Sequence, residues 1–275
     1  MDRLACFWTL HLALLGLFGL EMAFLLSLWL RARVPGLPPN SSRWRKLWVL
    51  LGRSLRLVFS RRMGRFLGLL AREGVLHRQV LQVSRWRWAV HGMIFGSFLV
   101  LGAFSTVTGV AVEILPALFP PMHVLNANPV SLALRDFDHP AVAFLNEVLG
   151  LVLLLGVALA AWRRYIRRDP QLRTVASDGV LLALLAAIGL SGYPVEAFRL
   201  LAEGITATAA WGFLGAGLAN LLAPLDWAWQ AWHDAAFWFH FALVNALLFY
   251  TPFSRFLHAL ASPLITALNA SEDVP

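Results

Sequence analysis

Cysteine is all but missing from this sequence, with Cys6 the single one. One thiol excludes an internal disulfide and any iron–sulfur cluster held by the chain's own cysteines, so such a cluster has to sit on a partner. Lysine is as scarce, with Lys46 alone among 23 basic residues. Charge as a whole is thin, at 14% of residues against roughly a quarter in soluble domains. Internal repeats and low-complexity segments are lacking too. Only one apolar run is interrupted, by Gly192-Tyr193-Pro194, which is a point for a kink and not the paired broken helices of a transporter.

What is there is apolar. Hydrophobic residues make up 59% of the 275, in runs that allow about five membrane helices at ~20 residues each. The fold class expected is all-α, an integral membrane five-helix bundle forming a single domain over 1–275. The helices are expected at about 4–30, 88–112, 141–162, 175–202 and 233–257, since each run is near the length that crosses a bilayer. The first run is too long for a signal peptide and has no small-x-small cleavage site before Arg31, so it reads as a first span. Loops are expected at Glu113–His139 and Gly204–Gln230.

The net charge of +8 is carried by arginines that flank the spans, which favours a membrane over nucleic acid as the partner. Fourteen basic residues and one acid (Glu73) lie between Arg31 and Arg87. Within that stretch, 43–85 alternates Arg with Trp, Leu and Phe, the pattern of amphipathic helices lying on an anionic membrane face, and equally a docking surface for a cytoplasmic partner. The loop after the third helix adds five arginines, whereas the opposite loops hold only Arg135 and Arg199. The positive-inside rule then puts the basic loops and the C-terminus in the cytoplasm and the N-terminus outside, in a cell (inner) membrane. Trp227, Trp229 and Trp232 fall in the outer interfacial belt.

The run Trp232–Pro263 carries His233, His240 and His258. Ionisable groups in a bilayer are costly and tend to be functional, and neutral imidazole is a common metal ligand. Histidines on facing helices point to haem between them. His91 is four residues past Arg87 and His258 three past Arg255, so both lie near the cytoplasmic face on different helices, the requirement for two axial ligands of one haem. His240 is eighteen residues before His258, about 27 Å along a helix, and needs a partner from another span. His233 shares its helix face, which leaves His11 the best-placed donor; His139 is a further outer-side candidate. Arg85, Arg87 and Arg255 suit haem propionates, since Arg matches carboxylates bidentately, or serve as ordinary anchors. His77, His123 and His139 read as structural or interface histidines. Glu196 and Arg199, three residues apart, read as an ion pair, with a quinone pocket as the alternative.

The run FWFHFALVNALLFYTPFSRFLHALASPL resembles the last membrane helix of the respiratory nitrate reductase gamma subunit: a histidine, an eighteen-residue gap, Pro-Phe-Ser-Arg, and a second histidine. The runs WAVHGMIFGSFLVLGAFST, SGYPVEAFRL and HDAAFWFH resemble the sister group, the cytochrome b-type membrane subunits of heterodisulfide reductase-like complexes, including those of electron-transfer-flavoprotein:quinone oxidoreduction. The resemblance covers about Leu76 to Leu268. It implies a haem b-containing membrane subunit that relays electrons between the (mena)quinone pool and a cytoplasmic iron–sulfur oxidoreductase. His91 and His258 match the inner haem ligands and His240 one outer ligand; the other outer ligand falls on Leu101. One haem is therefore implied, and a second needs a ligand of another origin. No cluster motif occurs up to Pro275, so the iron–sulfur partner is expected on a separate chain. A nitrate reductase gamma subunit proper and a cofactor-free membrane anchor for a cytoplasmic enzyme are the alternatives.

Overall fold

The computed structural model describes residues 3–34, 36–170, 172, 175–254, 256–257, 261 and 265, and contains no strand among them. In chain order the longer helices are α1 (Arg3–Trp29), α2 (Arg43–Val58), α3 (Arg62–Leu69), α4 (Arg85–Leu118), α5 (Pro140–Ile166), α6 (Ala176–Glu203), α7 (Phe213–Leu222) and α8 (Trp229–Phe253). Five of them, α1, α4, α5, α6 and α8, are long and apolar enough to cross a membrane. The chain is a multi-pass membrane protein.

The spans fall close to the expected runs, with differences of extent at several ends; α5 runs on to Ile166 and α8 starts at Trp229, each four residues beyond expectation. α4 continues to Leu118, six residues beyond its expected end at Val112, through a π turn at Val110–Ile114. The apolar run does not break there; Pro116 follows the π turn inside the helix, and the Ala111 carbonyl in that turn accepts from Arg135 Nε at 2.7 Å. α8 ends earlier than expected, in a 3-10 turn at Thr251–Phe253 with Pro252 at its start.

Two expected loops also contain helix. Val124–Ala127 and Pro129–Arg135 form short helices after α4. Within 204–230, a 3-10 turn at Thr208–Trp211 leads into α7, ten residues that are apolar but too short to cross a bilayer. Its glycines suggest a loop, yet Gly215, Ala216 and Ala219 are small so that α7 can lie close against α6. Small residues allow that approach between membrane helices, where van der Waals packing replaces the hydrophobic drive.

The described residues form two compact units, one of those up to Gln79 with those from Asn245 on, the other Val80–Val244. In the first, α1 is apolar apart from a few polar side chains, His11 and Glu21 among them, and no residue of its apolar window is buried. Ser42 caps α2 by accepting from the Arg45 N–H at 3.3 Å. One face of α2 presents Trp44, Trp48, Leu51 and Leu55, all exposed, at the i, i+4, i+7 spacing of an interfacial helix. The lone lysine is not on that surface: Lys46 is 4% exposed. Its Nζ donates to the carbonyls of Leu30 at 3.1 Å and Ala32 at 2.8 Å, just past the end of α1. A cation there satisfies carbonyls the helix leaves open and complements its dipole.

In the second unit α5 packs on α4 and α6, and α6 on α7. Ala197, Leu200, Ala209, Ala216 and Ala219 form the main buried cluster. Gly156 on α5 lies against the π turn at Gly92–Gly96 of α4; a Cβ there would sit 2.8 Å from the Met93 Cβ and 3.1 Å from the Ile94 backbone nitrogen. α6 runs as α-helix through Pro194, so the expected interruption does not end it.

Candidate functional site

His240 is placed by α8 against α6. Its Nδ1 lies 2.8 Å from the Ser191 Oγ. The Ser191 hydroxyl donates to the Ile188 carbonyl at 3.1 Å. A Ser191 hydroxyl whose hydrogen goes to Ile188 offers Oγ as an acceptor, the arrangement that puts the ring proton on Nδ1 and the lone pair on Nε2. Gly192 opens room beside the imidazole, whose Cε1 is 4.0 Å from where a Cβ would be. An outer-shell acceptor on the second ring nitrogen fixes the tautomer and aim of a metal-ligating imidazole, and Ser191 occupies that place here.

His91 ends the first α-helical turns of α4 and opens directly into the π turn Gly92–Gly96. Its ring stacks on Phe95 at 5.7 Å and 5°. Arg87 stands one turn earlier, its N–H held by the Ser84 side chain at 3.3 Å. Register fixes the relative depth of the two histidines. Gly156 is level with Met93 and Ile94, Gly189 with Leu154, and Gly150 with Tyr193. His91 and the Ser191–His240 contact are thus separated by about seven residues of α5, or about 10 Å along the axis. They occupy different levels and do not face each other across one iron.

His233 is buried, two turns before His240 on the same helix. His11 belongs to the other unit, where it stacks on Phe7 at 5.5 Å. His258 and Arg255 lie outside the described residues. His123 caps a short helix by accepting from the Leu125 N–H at 3.2 Å, and His139 sits at the N-cap of α5. No group of three or more His, Cys, Asp or Glu side chains gathers as for a bare metal ion among the described residues.

A second polar cluster lies where α5 begins and α6 ends. Arg199 binds Glu196 at 2.9 and 3.2 Å, as its spacing predicts, and also Glu203 at 2.9 Å and Asp138. Thr206 donates to Asp138 at 2.9 Å. Beside it Phe198 meets Trp229 and Trp232, and Trp227 stacks on Trp232 at 5.3 Å, a local aromatic patch. Deeper in, Glu147 of α5 is 5% exposed and accepts from the Gly215 N–H of α7 at 2.9 Å. Glu147 was not singled out in the sequence, although an acid inside an apolar run is the signal that marks it; its acceptor role and Ser191 gave no signal, because their partners come from other helices. At the opposite end the basic turn is partly self-neutralised: Arg163 binds Asp169 at 2.6 and 2.8 Å, and Arg164 binds Asp178.

The family profile of the nitrate reductase gamma subunit matches residues 106–269. The chain is 27% identical over 204 residues to the E subunit of the dihydromethanophenazine:CoB–CoM heterodisulfide reductase of Methanosarcina barkeri, covering 71% of this chain and 63% of that one. The corresponding E subunit of Methanosarcina mazei is 28% identical over 204 residues, covering 70% and 63%. The EtfAB:quinone oxidoreductase of Syntrophomonas wolfei is 26% identical over 223 residues, covering 70% of this chain and 29% of that protein. The chain thus spans less than two thirds of the length of these relatives. No solved structure matches it.

Proposed function

Because the chain belongs to the nitrate reductase gamma subunit family, we propose that it is the haem b-containing membrane subunit of an oxidoreductase complex. In this reading it relays electrons between the quinone pool and a cytoplasmic iron–sulfur partner of heterodisulfide reductase-like type. The relatives' names support the quinone side: one couples EtfAB to quinone, the other dihydromethanophenazine to a heterodisulfide.

The observation that carries the haem is the Ser191–His240 pair, which leaves Nε2 bare on a membrane helix. His240 would hold one iron and His91, at a level about 10 Å away along the helix axis, would serve another, with His258 the second ligand expected for it from the sequence. Arg87, and Arg255 by its place in the sequence, would pair with propionates. When bound, haem b supplies a one-electron carrier. The chain's own contribution is to aim the imidazoles, exclude water with apolar helices and hold the propionate charge. The loop Arg31–Arg87 faces the cytoplasm in this reading, and the exposed face of α2 lies on the membrane beside the partner's docking site.

The test is anaerobic addition of menadiol to the purified protein, followed in the visible spectrum. Appearance of a reduced b-type spectrum, complete relative to dithionite, is expected. A haem reduced by dithionite but not by menadiol, or no haem at all, rejects the reading.

A further inference from the structure

The polar cluster of α5, α6 and α7 contains two polar atoms with nothing to bond. Glu147 Oε1 accepts from Gly215, but Oε2 is buried without a hydrogen-bond partner, and so is the Tyr193 hydroxyl. Burying such groups bare is costly, which makes a ligand or a proton the natural complement. The two are neighbours: the Tyr193 hydroxyl lies 2.9 Å from where a Cβ on Gly150 would be, one turn from Glu147 on the same face of α5. Glu196 comes from the other side. A Cβ on Gly215 would meet Glu196 Cγ at 2.5 Å and Glu147 Oε1 at 3.4 Å, so both acids converge over one glycine. Glu196 is bound to Arg199, which also holds Asp138 and Glu203, the last with 58% of its side chain exposed. Carboxyl groups therefore run from a buried site to the open end of α6. Around Glu147, α6 brings Tyr193, Glu196 and Arg199, the turn Thr208–Trp211 and α7 bring no ionisable side chain, and α4 carries Glu113 in its last turns.

We infer that Glu147 is the proton-exchange group of a hydroquinone site, with Tyr193 beside it as the hydroxyl that binds the quinol. This rests on the quinone-linked reading above. In the step, a quinol O–H bond breaks and an O–H bond forms on Glu147 Oε2, leaving the quinol monoanion; no electron moves. The proton then passes by way of Glu196 to Glu203 and water. Glu147 serves as acid or anion with its Gly215 contact intact, because Oε1 accepts that N–H in either state.

The test uses the purified full chain in lipid nanodiscs and menadiol as probe. Wild type is compared with Glu147→Gln, Tyr193→Phe and the control Glu113→Gln, folding being checked by circular dichroism. Infrared difference spectra on menadiol addition read the protonation of a carboxylate directly, with or without haem. Wild type and Glu113→Gln gain a carboxylic C=O band, Glu147→Gln does not, and Tyr193→Phe binds menadiol about tenfold more weakly for the lost hydrogen bond. A band retained in Glu147→Gln, or lost in Glu113→Gln, overturns the inference while leaving quinol-dependent reduction intact. A wild type that binds no menadiol overturns the quinone-linked reading and this one with it. If Glu147→Gln does not fold, Glu147→Asp replaces it: a band shifted in frequency supports the assignment, an unshifted one refutes it.

Discussion

Arg199 ties three acids from two parts of the chain, and replacing it tests whether that knot holds the end of α6. In Arg199→Met, Asp138 and Glu196 lose their cation while 13% and 29% exposed. Breaking a buried ion pair costs about 3–5 kcal/mol. Glu203 at 58% exposure adds at most about 1 kcal/mol. Thr206 still donates to Asp138, and the acids can reach water at the loop, so about 2–4 kcal/mol is expected. At about 2–4 °C per kcal/mol for a chain near this size, the melting temperature in detergent falls by about 5–15 °C. Arg199→Lys, with a charge but no planar fork, recovers part of the loss. A cycle with Asp138→Asn should give a coupling of about 1 kcal/mol or more. A Met variant melting within about 2 °C of wild type, with no coupling to Asp138, would show that the knot does not hold α6.

Three further changes follow from contacts of the same kind. Gly156→Val forces a side chain into Met93 and the Ile94 backbone; overpacking costs about 1–3 kcal/mol, and the melting point should fall while Gly102→Val, with nothing within 4 Å of its Cβ position, changes little. Lys46→Met leaves the Leu30 and Ala32 carbonyls without their donor; a loss of about 1.5–3 kcal/mol should appear as faster hydrogen exchange at the end of α1. Ser191→Ala removes the acceptor that fixes the His240 tautomer, and should lower haem affinity by about 10–100-fold, read by haem titration of the apoprotein; unchanged affinity would separate Ser191 from any ligand role.

The spans were legible because a bilayer sets their length, and apolar runs such as 141–162 and 175–202 announce themselves. α7 was not, because Gly215 and Gly217 read as loop until the face they allow is seen against α6. Glu196–Arg199 was readable from spacing, but Arg199's bonds to Asp138 and Glu203 were only half so: Glu203 is four residues on, whereas Asp138 is sixty-one away. Lys46 looked like one more positive charge at the membrane face; its burial under α1 depends on how the chain turns between Ala32 and Ser42. His240 stood out in the sequence as an imidazole in a span, but its tautomer depends on Ser191, forty-nine residues away on another helix.

Whether the chain is a b-type cytochrome is decided by haem content per folded chain, measured from pyridine haemochrome and reduced-minus-oxidised spectra, for wild type beside His91→Ala and His240→Ala. Wild type should carry b-type haem, each variant should lose it at one level only, and helix content should be unchanged. Wild-type protein folded without haem under adequate haem supply, or haem content unaffected by either substitution, would contradict the cytochrome reading.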